Sequence, residues 1–197
     1  MSVRIEALTG TSLKAHLPAL ARLRIEVFRD FPYLYDGDLG YEEKYLSKLG
    51  ASAGGIIVGA FDGEAAVGAA TGAPLTDQSD EITERFRKRG EDLSSYFYFG
   101  ESVLRGTYRG QGIGVKFFDM REAQARRLGI PHAVFCAVVR APDHPRRPKP
   151  FVPLDEFWRH RGYAPLKDYT CRISWKELDE EEETPKLMQF WHRRLVP

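Results

Sequence analysis

The chain has 197 residues, 43% of them hydrophobic and 29% charged, a size and balance suited to one soluble globular domain with a real core. Its 29 basic and 28 acidic side chains nearly cancel to a net charge of +1, which removes any global electrostatic reason to expect nucleic acid or an anionic membrane as partner. Met1 to Gly10 holds Arg4 and Glu6 and lacks a long apolar run, so no secretory leader is expected, and the only two cysteines, Cys136 and Cys171, lie in apolar segments that suit a reducing cytoplasm.

In chain order, Val3 to Ala7 alternates apolar and polar residues and predicts a first strand. Leu13, Leu17, Leu20, Leu23, Val27 and Phe28 recur at helical steps, predicting an amphipathic helix from Ser12 to about Asp30, with Pro18 obscuring its start. Phe31 to Gly40 reads as an aromatic and acidic turn, and Tyr41 to Leu49 as a short helix. Gly54 to Phe61 and Glu64 to Gly72 predict a hairpin closed by Asp62-Gly63. A charged helix or irregular stretch over Asp80 to Arg89 precedes an aromatic strand, Tyr96 to Leu104.

Val115 to Leu128 has helical spacing and stops at Gly129, with Pro131 beyond. His132 to Arg140 is a nearly continuous apolar run, as in a strand buried on both faces. Ala141 to Pro153 holds five prolines and cannot be regular. Asp155 to Arg161 predicts a short helix ending at Gly162. Tyr169 to Glu177 and Met188 to Arg193 predict the last strands, around the acidic run Asp179 to Glu183. No internal repeat or linker interrupts this order, and an α/β fold follows, one sheet with helices on both faces.

The strongest local signal is Arg109-Gly110-Gln111-Gly112-Ile113-Gly114, between a strand and a helix. Its glycines allow unusual dihedrals, and its amides sit at a helix start, where an anion is favoured. Arg109 and Lys116 add charge. A dinucleotide fingerprint fails because Val115 and Phe117 stand where its third glycine is needed, and a P-loop fails because Phe117 follows Lys116. Scattered histidines and the lack of a Cys-x-x-Cys pair predict no metal site.

With Arg109, Gly112 and Gly114 in place inside Tyr108 to Gly114, the chain resembles the GNAT acetyltransferase superfamily; Phe157 to Tyr163 resembles that family's late helix ending in Gly and an aromatic. The resemblance extends over most of the chain and implies a single GNAT domain, with a mixed, mostly antiparallel sheet of about seven strands. It implies acetyl-coenzyme A as co-substrate, bound at the loop that begins with Arg109 and Gly110, its pyrophosphate on the amides of Gln111, Gly112, Ile113 and Gly114. Its pantetheine would meet backbone at Val103, Leu104 and Arg105, in a gap where two strands splay. Two positions depart from the family: Trp158 stands where many members have a Tyr that protonates the leaving thiolate, and the chain contains no Asn.

Acetyl transfer to an amine needs a base, because an alkylammonium has a pKa of about 10.4. Glu101 is the first candidate, with an ordinary strand ion pair as its alternative role, and His144 the second, with a surface loop histidine as its alternative. Tyr163 is the nearest remaining phenol for a general acid, though a core or edge aromatic is the role its position favours. Cys136 as an acetyl acceptor is disfavoured by an apolar strand. Tyr33, Tyr35 and Asp36 suit a cationic amine acceptor, on a small molecule ahead of a peptide, or form a plain turn. Arg146, Arg147 and Lys149 would reach the cofactor's 3′-phosphate or stay solvated. A non-catalytic acyl-coenzyme A sensor and an assembly domain, including a homodimer through Met188 to Arg193, are the other functions compatible with the sequence.

Overall fold

In the computed structural model, which describes residues 3–195, the strand segments join one seven-stranded sheet in the order β1-β2-β3-β4-β5-β7-β6. The strands are β1 (Arg4–Ala7), β2 (Ile56–Asp62), β3 (Ala65–Pro74), β4 (Tyr96–Leu104), β5 (His132–Val138), β6 (Ala164–Trp175) and β7 (Thr184–Arg194). Every neighbouring pair is antiparallel except β4 and β5. The β2–β3 turn is Gly63-Glu64 and not Asp62-Gly63, because Asp62 pairs with Ala65 inside the ladder. Positive φ at Gly63 alone fits a II′ turn.

The helices are α1 (Gly10–Phe28), α2 (Leu39–Gly50), α3 (Asp80–Lys88), α4 (Ile113–Arg127) and α5 (Asp155–His160). Leu13, Leu20 and Leu23 of α1 and Leu46 of α2 bury against Ala69 and Val103 on one face of the sheet. On that face α3 adds Ile82 and Phe86, packed with Tyr98, Cys136 and Phe190. Phe117 and Phe118 of α4 and Phe157 of α5 cover the opposite face. Pro18 lies inside α1, so the helix begins ahead of it, at Gly10.

Two strands run longer than their patterns predict. β6 starts at Ala164, and its register shifts between Pro165 and Thr170, which breaks the alternation that marks a strand in sequence. β7 starts at Thr184, where Lys186 donates to Glu180 at 2.7 and 2.8 Å and ties the acidic tip to the strand. α4 starts at Ile113 instead of Val115, and β5 stops at Val138 instead of Arg140.

The parallel β4–β5 ladder contains only Tyr96↔His132, Phe97↔Ala133 and Tyr98↔Val134. A histidine pair marks this joined end. His192 Nε2 lies 2.9 Å from His132 Nδ1, and Tyr96 stacks on the His132 ring at 5.2 Å. Burial, with the His132 charge second, pushes His192 down to about 4, and burial also lowers His132. The folded protein therefore refuses protons that the unfolded chain binds below about pH 6.5. Stability should be intact above that pH and fall as pH drops toward about 4. Melting temperatures across this range should show the decline, and His192→Gln should flatten it.

Candidate active site

Beyond Tyr98 and Val134 no ladder pair links β4 to β5, so the rest of β4 and of β5 border an open gap in the sheet. Strand alternation decides which backbone groups face it. The Arg105 amide donates to Val67 O of β3 at 3.0 Å, so Arg105 and Val103 turn toward β3. Ser102 and Leu104 therefore present N–H and C=O to the gap. Of the three residues expected to hold a pantetheine arm, Leu104 faces the gap, whereas the backbones of Val103 and Arg105 are engaged with β3; Ser102 joins Leu104.

The β3–β4 register slips where Thr71 stands opposite both Gly100 and Glu101, a bulge in the middle of β4. The extra residue leaves Gly100 and Glu101 on the same face, under α1 and α2. Gly100 is required there, because a Cβ would come within 2.5 Å of Thr71 Oγ1. The Glu101 carboxylate accepts from Tyr45 Oη at 2.9 Å and Thr71 Oγ1 at 2.8 Å, and its other oxygen meets Arg24 Nη1. Arg24 Nε bonds Glu42 in turn. All three charged side chains are more than nine-tenths buried. Arg24 is raised: burial opposes its charge, but Glu101, Tyr45 and Glu42 together outweigh that.

The opposite face of the bulge is held by Arg121 of α4. Its Nη1 donates to Thr71 O at 3.2 Å and Glu101 O at 3.0 Å, Nη2 to Ser102 Oγ at 2.8 Å, and Nε to Phe117 O at 3.1 Å. The guanidinium lies over Phe99 at 4.3 Å and Phe118 at 4.9 Å. Burial lowers it to about 10, so it remains a cation at neutral pH.

At the open end of the gap, β4 leads through Gly106–Tyr108 into the glycine loop. Gly110 and Gly112 have φ of 77° and 80°, and a Cβ on either would meet nothing within 4 Å. These glycines serve the backbone conformation, and the space outside them is open. Gly112 caps α4 without a side-chain bond, so the amides at the first turn are unclaimed, pointing out with the positive end of the helix dipole. Tyr108 Oη donates to Asp62 at 2.8 Å and Gln111 Nε2 to Thr107 O at 3.1 Å, which steady the loop. Arg109 and Lys116 are exposed beside it. A cavity of about 260 Å³, lined by Glu26, Val27, Asp30, Leu104, Arg105 and Arg109 among others, connects the loop to the end of β4.

Family models and curated sequences give no match to the chain. Solved structures do, over nearly the whole length. A ribosomal-protein-alanine N-acetyltransferase from Brucella melitensis aligns at 14% identity over 97% of this chain and 99% of that one, with a TM-score of 0.64. An acetyltransferase assigned to the GNAT family from Desulfovibrio desulfuricans aligns at 10% identity over 99% and 100%, TM-score 0.62. An aminoglycoside 6′-N-acetyltransferase complexed with coenzyme A aligns at 13% identity over 100% and 98%, TM-score 0.59. The chain has the GNAT fold.

Within this GNAT fold the remaining expected site residues separate into groups. Tyr33 stands near the gap, where burial first, then the charges of Cys136 and Glu101, raise its phenol. Tyr35 approaches Glu42, and burial followed by that carboxylate raises it too. Asp36 is already paired, with Lys176 at 3.0 Å and Arg29 at 3.8 Å. His144 packs on Phe31 at 5.4 Å, and its Nδ1 accepts from the Arg146 amide at 3.2 Å. Arg146 reaches Asp179 at 3.5 Å, which puts the basic loop beside the β6–β7 tip.

Tyr163 is removed from the gap. It is 2% exposed, its hydroxyl donates to Glu122 at 3.1 Å, and it packs on Phe99, Phe118 and Phe135 beneath α4. Trp158 lies in the same core against Trp191 and Phe135. Arg24, Glu42, Tyr45, Thr71 and Arg121 were not anticipated. A readable signal existed: Arg24 follows Leu20 by one helical turn, Glu42 precedes Leu46, and Arg121 sits between Phe117 and Ala125, so each charge lies on an apolar stripe.

Among the described residues no cluster of three or more His, Cys, Asp or Glu side chains could hold a metal, and no helix is long and apolar enough to cross a membrane. The buried chain Glu42–Arg24–Glu101 makes a direct stability test. Arg24→Leu strands two buried carboxylates and should cost about 3–5 kcal/mol. Arg105→Ala removes the bidentate but solvent-exposed bond to Glu26 and should cost about 0–1 kcal/mol. Urea unfolding of both variants measures the contrast.

Proposed function

We propose that the protein is an N-acetyltransferase that moves an acetyl group from acetyl-coenzyme A to a primary amine on a small molecule. The observation that carries this reading is the gap between β4 and β5, continuous at its open end with an uncapped helix start. A thioester arm needs an extended channel with unpaired backbone groups, which Ser102 and Leu104 supply. A diphosphate needs convergent amides, which Gln111 to Gly114 supply, with Arg109 and Lys116 for the outer charge.

The direct transfer is a balanced addition and elimination. The neutral amine nitrogen bonds to the thioester carbon while the carbonyl π pair moves onto oxygen. The pair then returns, the C–S bond breaks, and the thiolate departs with its electrons. The Ser102 amide, facing the gap, is the donor suited to the transient oxyanion. Two carboxylates on one guanidinium leave a net negative charge beside the gap, which draws an ammonium toward Tyr33. Glu101 has its oxygens engaged by Tyr45, Thr71 and Arg24, so to act as the base it exchanges one of these bonds for a water that relays the amine proton to the freed oxygen. His144, with Nδ1 occupied, offers Nε2 as the competing base.

The acceptor side favours a small molecule over an extended peptide. Leu34 O accepts from the Leu178 amide at 2.9 Å, and the Asp36 amide donates to Lys176 O at 2.9 Å. These bonds, with the Tyr35↔Glu177 bridge, stitch the α1–α2 connection to the β6–β7 connection and roof the cleft. Asp36 is committed to that roof through Lys176, leaving Tyr33 and Tyr35 as the aromatic contacts for the acceptor.

Calorimetric titration with acetyl-coenzyme A should show micromolar or tighter binding. Gly112→Asp should abolish it without unfolding the chain, because Asp tolerates a left-handed φ and its carboxylate would occupy the helix-start amides itself. Unchanged binding would remove the glycine loop from the donor site. In an amine screen, Glu101→Gln should lower turnover most at low pH, where most of the acceptor is protonated, and His144→Gln should leave the profile unchanged. The reverse pattern would assign the base to His144.

A further inference from the structure

Arg121 is a fully buried cation, and among the described residues no carboxylate comes within ion-pair distance of it. All its hydrogen bonds go to neutral oxygens. Burial outweighs Tyr163, Glu101 and Glu122, which favour the cation only from a distance. A buried charge without a direct ion pair is costly, so a side chain placed this way needs a structural or electrostatic reason. Its position supplies one. Nη1 bridges Thr71 O and Glu101 O, the carbonyls that face each other across the bulge where the ladder slips.

A trans peptide sets its C=O and N–H in opposite directions. With Glu101 O drawn toward β3 and Arg121, the Ser102 N–H of the same peptide is driven into the gap. We propose that Arg121 is a positioning residue for acetyl transfer. It fixes and polarises the Glu101–Ser102 peptide, so that the Ser102 amide is a preset, strengthened donor to the thioester oxygen. The inference rests on the acetyl-coenzyme A reading and adds to it a residue that touches neither substrate.

The clamp is complete from the other face as well. Thr71 Oγ1 accepts from the Glu101 amide at 3.3 Å and donates to its carboxylate at 2.8 Å, so Thr71 and Arg121 hold the same peptide run above and below. Lysine could keep the charge, but its single ammonium cannot span Thr71 O, Glu101 O and Ser102 Oγ in one plane as a guanidinium does.

Isotope-edited infrared spectroscopy of bound acetyl-coenzyme A, labelled with ¹³C at the acetyl carbonyl, tests this without an acceptor. In the wild-type protein the carbonyl stretch should move to lower frequency on binding, as expected of a polarised thioester. Arg121→Met should lose that shift while the calorimetric Kd stays within about threefold, since amides of the glycine loop supply most of the binding. Arg121→Lys, which is the safer variant for folding, should keep only part of the shift. For any amine that turns over, kcat should fall at least about tenfold in either variant with KM for acetyl-coenzyme A little changed. A wild-type shift retained in either variant, or no shift in a wild-type protein that binds acetyl-coenzyme A, would overturn the role of Arg121 alone. A folded wild-type protein that fails to bind acetyl-coenzyme A would overturn the donor reading itself.

Discussion

One extra residue in β4 organises the site. Without the slip opposite Thr71, Glu101 would point toward α4 and Ser102 toward α1, and the Glu101 amide would face the gap in place of that of Ser102. A bulge orphans backbone groups and needs partners from outside the ladder. Here they come from both faces at once: Thr71 Oγ1 accepts from the Glu101 amide on the side of α1 and α2, where Tyr45 and Arg24 hold the Glu101 carboxylate, and Arg121 donates to the Thr71 and Glu101 carbonyls on the side of α4. Helices α1, α2 and α4 therefore do more than bury the sheet, since each delivers a polar side chain to the same short run of strand.

The two arginines at the bulge solve opposite electrostatic problems. Arg24 lies between two carboxylates that would repel each other without it, and its charge is held firmly. Arg121 has only carbonyl and hydroxyl oxygens and two aromatic faces, and burial weakens its hold on the proton. A fixed negative centre on one side of β4 and a fixed positive centre on the other give the strand a transverse field. That polarity suits a reaction in which a cationic amine approaches and an oxyanion forms.

What was legible in the sequence follows from the range of the interactions. The glycine loop was readable because a left-handed backbone and close approach at a helix start restrict residue choice locally. Most of the element order was readable from apolar period. The bulge was not, because Gly100-Glu101 looks like any strand dipeptide until β3 sets the register. The alternation that excludes Val103 and Arg105 from the gap follows from that same slip. Tyr163 takes the core role its position favoured over the general acid, and only the packing of Phe99, Phe118 and Phe135 shows that its hydroxyl turns inward to Glu122. Longer strands at β6 and β7 escaped notice because an irregular register and the acidic tip hide the period.

The short β4–β5 ladder has a mechanical consequence. The sheet is two blocks, β1 to β4 and β5 to β7, joined along a seam of three residue pairs at the histidine end. The line with fewest rungs through the hydrogen-bonded framework thus runs through the proposed transfer site, and an extended molecule lying in the seam would bond to both banks. Such a molecule would act as a strut as well as a reactant, substituting for the missing rungs and stiffening the domain while the reaction proceeds.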